Sequence, residues 1–375
     1  MSGSVFDARD HEYMARALRL ARRGLYTTQP NPRVGCVLVR DGRVVGEGWH
    51  QRAGGPHAEV LALRAAGAQA REATAYVTLE PCCHHGRTPP CTEALIEAGV
   101  AEVVVAMEDP NPRVSGQGLA RLREAGIRVR AGLLAREAEA LNPGFVSRMR
   151  RGRPWVRLKS AMSLDGRTAM ASGESQWITG AAARADVQRQ RARVDAVLTG
   201  IGTVRADDPG LNVRLSAEAL GIQAPVRQPL RVVLDPDLES PADMRMLRLP
   251  GRTLILTAAP EAPGRRALEA AGAELLPVPP APGGLDLERV LAALAALEVN
   301  EVLVEAGATL AGGFLTAGLV DEWLIYMAPH VMGHAARGLA VLPQVERMHQ
   351  RLPMRLESLR AVGEDLRFVW VPERR

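Results

Sequence analysis

The chain has 375 residues, 24% charged and 47% apolar, with a formal net charge of +5. At roughly 100–200 residues per domain this length predicts two domains or three, and the near-average composition excludes wholesale disorder. The basic excess is mild and sits in the front part, where residues 1–150 carry 20 Arg against 16 Asp and Glu. A dedicated nucleic-acid domain shows a stronger, clustered excess, whereas a small anionic ligand such as a phosphate ester suits a mild one.

In chain order, residues 11–23 read as a helix, and Val34–Val39 and Arg43–Trp49 as paired strands around the Asp41-Gly42 turn. Ala58–Ala66 is helical, Thr74–Leu79 an apolar strand, and Thr92–Ala98 a helix stopped by Gly99. Glu102–Met107 is a strand, Gly118–Ala125 a helix and Ile127–Arg130 a short strand. These alternating elements predict an α/β domain over residues 1–147. Arg148–Pro154 is charged, contains Gly152 and lacks apolar periodicity, so 148–154 is expected to be a solvated linker. A second α/β domain is expected over 155–375, with strands at Trp155–Lys159, Ala196–Thr199, Leu230–Leu234, Thr253–Leu256, Glu301–Val304 and Trp323–Met327. Helices are expected near 181–193, 264–271, 286–297 and 308–317, Pro277–Pro282 as a surface connection, and β structure in the last thirty residues. No internal repeat relates the halves.

The amino-terminal stretch lacks the apolar core of a secretory signal, and no apolar run approaches the ~20 residues of a membrane span. The expected compartment is the cytosol, where disulfides are rare. Cys82, Cys83 and Cys91 lie within ten residues of one another, and in a reducing compartment such a cluster suggests metal.

His57-Ala58-Glu59 opens a predicted helix, and the strand 74–79 runs into Glu80-Pro81-Cys82-Cys83-His84-His85-Gly86-Arg87-Thr88-Pro89-Pro90-Cys91. One His and two Cys satisfy a catalytic zinc ion, which takes three protein ligands and leaves a fourth position for water. His57 and Cys91 both start predicted helices, where the positive end of the dipole favours a thiolate. Glu59, two positions past His57, projects differently and suits proton transfer between water and a leaving amine. The His-x-Glu and Pro-Cys arrangement is that of zinc deaminases acting on bases, with eight residues here between the cysteines instead of two. The alternative is a structural zinc site with Cys83 as a fourth ligand, which gives Glu59 no role. Cys36, within apolar Val34–Val39, reads as a buried small hydrophobe.

Two glycine-rich turns follow strands in the second half, at Thr199-Gly200-Ile201-Gly202-Thr203 and at Glu305-Ala306-Gly307-Ala308-Thr309-Leu310-Ala311-Gly312-Gly313. Neither reads Gly-x-Gly-x-x-Gly, so by themselves they fit a nucleotide site or ordinary tight turns equally.

The segment PCCHHGRTPPC, preceded by HAE and by Asn31-Pro32-Arg33-Val34-Gly35, resembles the deaminase half of the bifunctional riboflavin-biosynthesis deaminase/reductases. Lys159-Ser160-Ala161-Met162-Ser163-Leu164-Asp165-Gly166-Arg167, Gly173–Thr179, Thr203…Asp207-Asp208-Pro209 and Val304–Gly307 resemble the reductase half. The resemblance implies a cytidine-deaminase-like three-layer α/β domain followed by a dihydrofolate-reductase-like α/β domain that uses NADPH. It implies one zinc ion per chain on His57, Cys82 and Cys91, with Glu59 as proton shuttle. Asn31, His50 and Arg87 would contact the pyrimidine. Ala161, Trp177, Thr203, Asp207, Pro236 and Gly307, Ala308, Thr309, Leu310, Ala311, Gly312 and Gly313 would line the dinucleotide. Ser175, Arg191, Leu211, Arg214 and Glu305 would face the substrate beside Lys159, with Arg191 and Arg214 holding its phosphate.

Lys159 is the single lysine against 46 arginines. A compact ammonium suits hydrogen bonding or proton donation to a sugar oxygen better than a guanidinium does. The expected partners are a small phosphorylated pyrimidine and further copies of the chain, as a dimer or tetramer, with no nucleic acid and no membrane. The alternatives are a nucleic-acid base deaminase with a binding module behind it, drawing on the Arg148–Arg153 cluster, and a zinc-stabilised scaffold without activity.

Overall fold

A computed structural model describes residues 6–84, 89–112 and 114–373. Among them no helix is long and apolar enough to cross a membrane. The chain divides into two compact units, one ending at Gly152 and the next beginning at Arg153.

The first unit runs α1 (Ala8–Arg22), β1 (Gly35–Arg40), β2 (Arg43–Trp49), α2 (Ala58–Ala66), β3 (Thr74–Val77) and α3 (Cys91–Glu97). It continues through β4 (Glu102–Val105), α4 (Gln117–Glu124), β5 (Arg128–Ala131), α5 (Ala135–Leu141) and α6 (Pro143–Arg151). The sheet order is β2-β1-β3-β4-β5, with β1 antiparallel to both neighbours and β3, β4 and β5 parallel. Asp41 and Gly42 take φ of 51° and 72°, the left-handed pair that a two-residue hairpin needs.

Side chains alternate across a strand, so Val104 faces one layer and Val103 and Val105 the other. Met14, Ala17 and Leu18 of α1 and Phe145 and Val146 of α6 cover the first face. Ala58 and Ala62 of α2, Leu95 of α3 and Leu119 and Leu122 of α4 cover the second. The result is the expected three-layer α/β arrangement. The stretch expected as a linker is different: it is helical through Arg151 and capped at Gly152 with φ 66°. Phe145 and Val146 are buried on this helix while Arg148, Arg150 and Arg151 enrich its last turn, where cations favour the helix dipole.

The second unit runs β6 (Trp155–Met162), β7 (Arg167–Ala169), α7 (Ala181–Arg193), β8 (Ala196–Gly200), α8 (Ile201–Asp207), α9 (Ala217–Leu220) and β9 (Leu230–Leu234). Then follow β10 (Thr253–Thr257), α10 (Arg265–Ala270), β11 (Ala273–Pro277), β12 (Pro280–Ala281), β13 (Gly284–Leu285) and α11 (Leu287–Ala296). It closes with β14 (Glu301–Glu305), α12 (Ala308–Thr316), β15 (Glu322–Met327), β16 (Arg337–Gly338), β17 (Met354–Val362) and β18 (Asp365–Pro372). Nine strands form one sheet in the order β11-β10-β9-β8-β14-β6-β15-β18-β17, parallel as far as β15 and antiparallel beyond it.

Val290, Leu291 and Leu294 of α11 and Phe314 of α12 pack on one face against Leu158, Leu198 and Val304. The other face buries Val197, Val233 and Leu303 under α8 and α10 and, further along, Leu324 and Tyr326 under α7. β6 is longer than the expected Trp155–Lys159, which leaves Lys159 inside the strand and not at its end. Gly200–Thr203, expected as a turn, opens a helix, and the Pro277–Pro282 connection contributes to two short strands.

Candidate active sites

β3 ends at Val77, and the chain then crosses the end of the sheet to bring Cys82 to Cys91, the first residue of α3. His57 caps α2, and Glu59 occupies its first turn. His57 Nδ1 lies 3.2 Å from Cys91 Sγ and 3.6 Å from Cys82 Sγ. The three donor atoms all fall within 4.8 Å of one another, and Cys83 is not among them. The fourth-ligand alternative for Cys83 therefore has no support in the geometry. Cys91 donates its backbone N–H to Cys82 Sγ at 3.4 Å.

A hydrogen bond from the Cys91 thiol, with further bonds from His57 and the Cys91 backbone, pulls the Cys82 thiol down to about 4. That same bond to Cys82, together with burial, pushes Cys91 up. An imidazole and two sulfurs are the donor set zinc takes at a catalytic centre, and the residues fit that ion. Glu59 is 3% exposed. Burial, and then the Cys82 thiolate, push its carboxyl up to about 7.

Of the expected pyrimidine contacts, Arg87 lies outside the described residues. Asn31 is half-buried and reaches His50, with its Nδ2 3.1 Å from His50 Nε2. His50 Nδ1 stands 3.1 Å from the Pro56 carbonyl, one residue before the ligand His57. A carbonyl only accepts, so Nδ1 carries the proton and Nε2 accepts from the Asn31 amide. Both ring nitrogens of His50 are thus engaged within the chain, and the residue is 3% exposed.

Sequence reasoning gave Glu80 no role. Its carboxylate is buried and accepts backbone N–H groups from Asp109 and Gly116 at 3.0 Å each, Gly118 at 2.9 Å and Leu119 at 3.3 Å. It thereby satisfies the open amino end of α4, whose own cap, Gly116, has no side chain. The available signal was an acid two residues ahead of a metal-ligand cysteine.

In the second unit the glycine-rich turns stand at the carboxyl ends of β8 and β14, which are neighbours in the sheet. This is the edge where open α/β sheets bind ligands. Gly307 caps α12 without a side chain, leaving its first N–H groups for an anion. Gly200 and Leu310 meet across the turns, a Cβ built on Gly200 lying 3.3 Å from Leu310 Cδ2. Gly312 is bare because a Cβ there would lie 2.0 Å from the Val341 carbonyl oxygen. Thr203 is half-buried and Asp207 exposed, four residues apart on α8. Ala161 is half-buried on β6 and Trp177 is 68% exposed under the Arg184 guanidinium, 4.8 Å from its ring centre. These residues fit a dinucleotide at this edge. The Pro236 carbonyl accepts from the Ala258 N–H at 2.9 Å and the Thr257 hydroxyl at 3.0 Å, binding it into the link between β9 and β10.

The register of β6 and β14 sets Glu305 directly beside Lys159, and Glu305 Oε2 lies 3.9 Å from Lys159 Nζ. Burial lowers the Lys159 ammonium while Glu305 opposes the shift. Arg191 reaches down from α7 and grips Glu305 with two bonds of 2.6 and 3.0 Å, giving a third to the Asn212 carbonyl at 3.1 Å. Three of the five N–H donors of Arg191, expected at the substrate phosphate, are thereby used within the chain. Arg214 is exposed and makes no side-chain hydrogen bond or ion pair among the described residues, and Ser175 is half-buried. Leu211 does not face outward: it is 2% exposed and packs with Val194, Val197 and Val204.

A metal-type deaminase half followed by a nucleotide-binding α/β half defines a two-activity enzyme. Residues 7–107 match the cytidine and deoxycytidylate deaminase zinc-binding region, and residues 154–368 match the RibD C-terminal domain. The chain is 53% identical to the riboflavin biosynthesis protein RibD of Escherichia coli K12, over 95% of this chain and 98% of that one. It is 46% identical to RibD of Haemophilus influenzae, over 98% and 99%. Among solved structures, Acinetobacter baumannii RibD superposes with a TM-score of 0.90 at 47% identity, covering 98% of this chain and 99% of that one. A Thermotoga maritima protein described as a diaminohydroxyphosphoribosylaminopyrimidine deaminase/5-amino-6-(5-phosphoribosylamino)uracil reductase superposes at 0.83 with 34% identity, over 97% and 99%. The chain belongs to the RibD family, the bifunctional deaminase–reductases of riboflavin biosynthesis.

Proposed function

We propose that the first unit hydrolytically deaminates 2,5-diamino-6-(5-phosphoribosylamino)pyrimidin-4-one, and that the second then reduces the ribosyl side chain to ribityl with NADPH. The observation that carries this reading is the gathering of His57, Cys82 and Cys91 within 4.8 Å beside buried Glu59, in a chain whose Thermotoga relative bears both activities in its description.

Those three residues would hold one zinc ion per chain, which when bound would supply the Lewis acid that makes water nucleophilic at neutral pH. Glu59 takes the proton of the attacking water and returns one to the departing amine. A carboxyl held near neutrality suits both transfers. His50 fixes the Asn31 amide, so that Asn31 presents its oxygen to a pyrimidine donor.

In the second unit NADPH supplies the hydride. Lys159 hydrogen-bonds the sugar oxygen and gives it a proton, while Glu305, itself gripped by Arg191, holds the ammonium in place. The substrate is a small phosphorylated pyrimidine, and we place the enzyme in the cytosol as a homo-oligomer, dimer or tetramer.

The test couples ammonia release to NADPH oxidation on the diaminopyrimidine, with and without a chelator. Chelation should stop ammonia release and leave reduction of the pre-deaminated substrate intact. Ammonia release that survives complete metal removal would overturn the deaminase assignment.

A further inference from the structure

Among the described residues Trp177 is the one Trp, Tyr or Phe left mostly in solvent, at 68% exposure. Its segment is barely tied down. Residues 175–179 make a single hydrogen bond among the described residues, in which Arg184 Nη1 donates to the Thr179 carbonyl at 2.6 Å. The same guanidinium lies over the Trp177 ring, 4.8 Å from its centre. Neither burial nor its own backbone fixes this indole, so the cation is what orients it.

The support beneath Arg184 is firm. It stands in the first turn of α7, and the Gly180 N–H just ahead of that helix donates to Asp365 at 2.8 Å. Ala183 and Val187 of α7 are buried with Leu324, Tyr326 and Val369 of the sheet. Arg184 makes no ion pair among the described residues, so its charge is not spent on a carboxylate.

The place in the fold is that of a ligand. α7 leads back into β8, which runs parallel to β6 through β14, so the amino end of α7 lies at the carboxyl edge of these strands. One face of the indole meets Arg184, and the remaining surface is open to solvent. An open indole face takes a flat conjugated ring by stacking. A dinucleotide carries two such rings.

We propose that Arg184 is a positioning residue for the dinucleotide, holding the Trp177 indole in the orientation on which a ring of the cofactor stacks. The inference rests on the reductase reading above. An aromatic plate already in place spares the cofactor the work of ordering it, so affinity falls when the guanidinium is removed.

NADPH affinity is titrated on the full-length protein as unaltered chain, Arg184→Met, Arg184→Lys, Trp177→Ala and the Arg184→Met/Trp177→Ala pair. Arg184→Met should weaken NADPH roughly three- to thirtyfold, the worth of a cation–π contact between exposed and desolvated settings. Arg184→Lys, which keeps a cation over the ring, should restore most of the loss. In the Trp177→Ala background Arg184→Met should change nothing further, because the ring it acts through is gone. Weakening confined to one fragment, adenosine 2′,5′-bisphosphate or reduced nicotinamide mononucleotide, names the ring that stacks. Unchanged NADPH affinity in Arg184→Met overturns the proposal. So does an equal loss with and without the indole, which would make Arg184 an independent contact or a structural residue. If the unaltered chain binds no NADPH, the reductase reading falls and takes this inference with it.

Discussion

Gly118 donates its backbone N–H to Glu80 Oε1 at 2.9 Å, and a Cβ at position 118 would lie only 2.2 Å from the Pro81 carbonyl oxygen. The amino end of α4 therefore rests on the two residues that precede the ligand Cys82, and glycine is what permits the approach. Gly118→Ala should force a backbone shift costing about 1–3 kcal/mol, the usual range for overpacking. Because that shift passes directly into Pro81, loss of zinc to a chelator should also speed up. A lowered melting temperature with unaltered metal release would uncouple α4 from the metal loop.

Glu59→Gln should keep zinc and lose about 10²–10⁴-fold in deamination rate, the usual worth of a positioned proton carrier. Reduction of pre-deaminated substrate should be unaffected. Metal analysis and ammonia release on the same preparation check this. Loss of zinc in the variant would recast Glu59 as a ligand or a structural residue.

Asp10 ties α1 to the sheet. It accepts from the Tyr76 hydroxyl at 2.7 Å and from Arg130 at 2.6 and 3.0 Å, while Arg130 also reaches Glu102 at 2.6 Å. Burial acts to raise the Asp10 carboxyl, but the bonds from Arg130 and Tyr76 outweigh it and pull it down to about 2. A carboxyl lowered by folding adds stability above its unfolded value of ~3.9, and that stability is lost as pH falls toward the folded value. Acid unfolding of the first unit should begin at a higher pH in Asp10→Asn, with the difference from the unaltered chain shrinking between about pH 4 and pH 2. Identical acid transitions, followed by the melting temperature across that window, would show that the Asp10 contacts contribute nothing.

Lys159→Arg should slow reduction about 100-fold, within the range for loss of a positioned proton donor. A larger planar cation cannot replace an ammonium packed beside Glu305. NADPH affinity should stay within twofold, about the resolution of a binding titration, since only ~0.4 kcal/mol separates the two values. Near-normal turnover would make the lone lysine an accident of composition.

Much of the fold was legible because it is local. The strand expected at Glu102–Met107 runs Glu102–Val105 and that at Leu230–Leu234 keeps its bounds, both being short apolar runs with clear stops. The cluster of His57, Cys82 and Cys91 that the structure gathers was marked by residue type and by the family resemblance, since the eight residues between the cysteines depart from the general deaminase spacing. What failed was tertiary. The segment around Arg148–Arg151 looked like a solvated linker because its charges are conspicuous, while the helix is held by Phe145 and Val146 just before them. Leu211 and Arg191 could be singled out from the sequence, but not that one packs with Val194 and Val197 or that the other pairs with Glu305.

The Lys159–Glu305 contact has a practical corollary. Lysine occurs once in the chain, so apart from the amino terminus the protein offers a single acylatable amine, with a side chain 20% exposed beside the last residue of β14. Amine-directed reagents, ordinarily indiscriminate, become site-selective on this background. The extent of acylation at that one position, read by mass, is a footprint of whatever shields it.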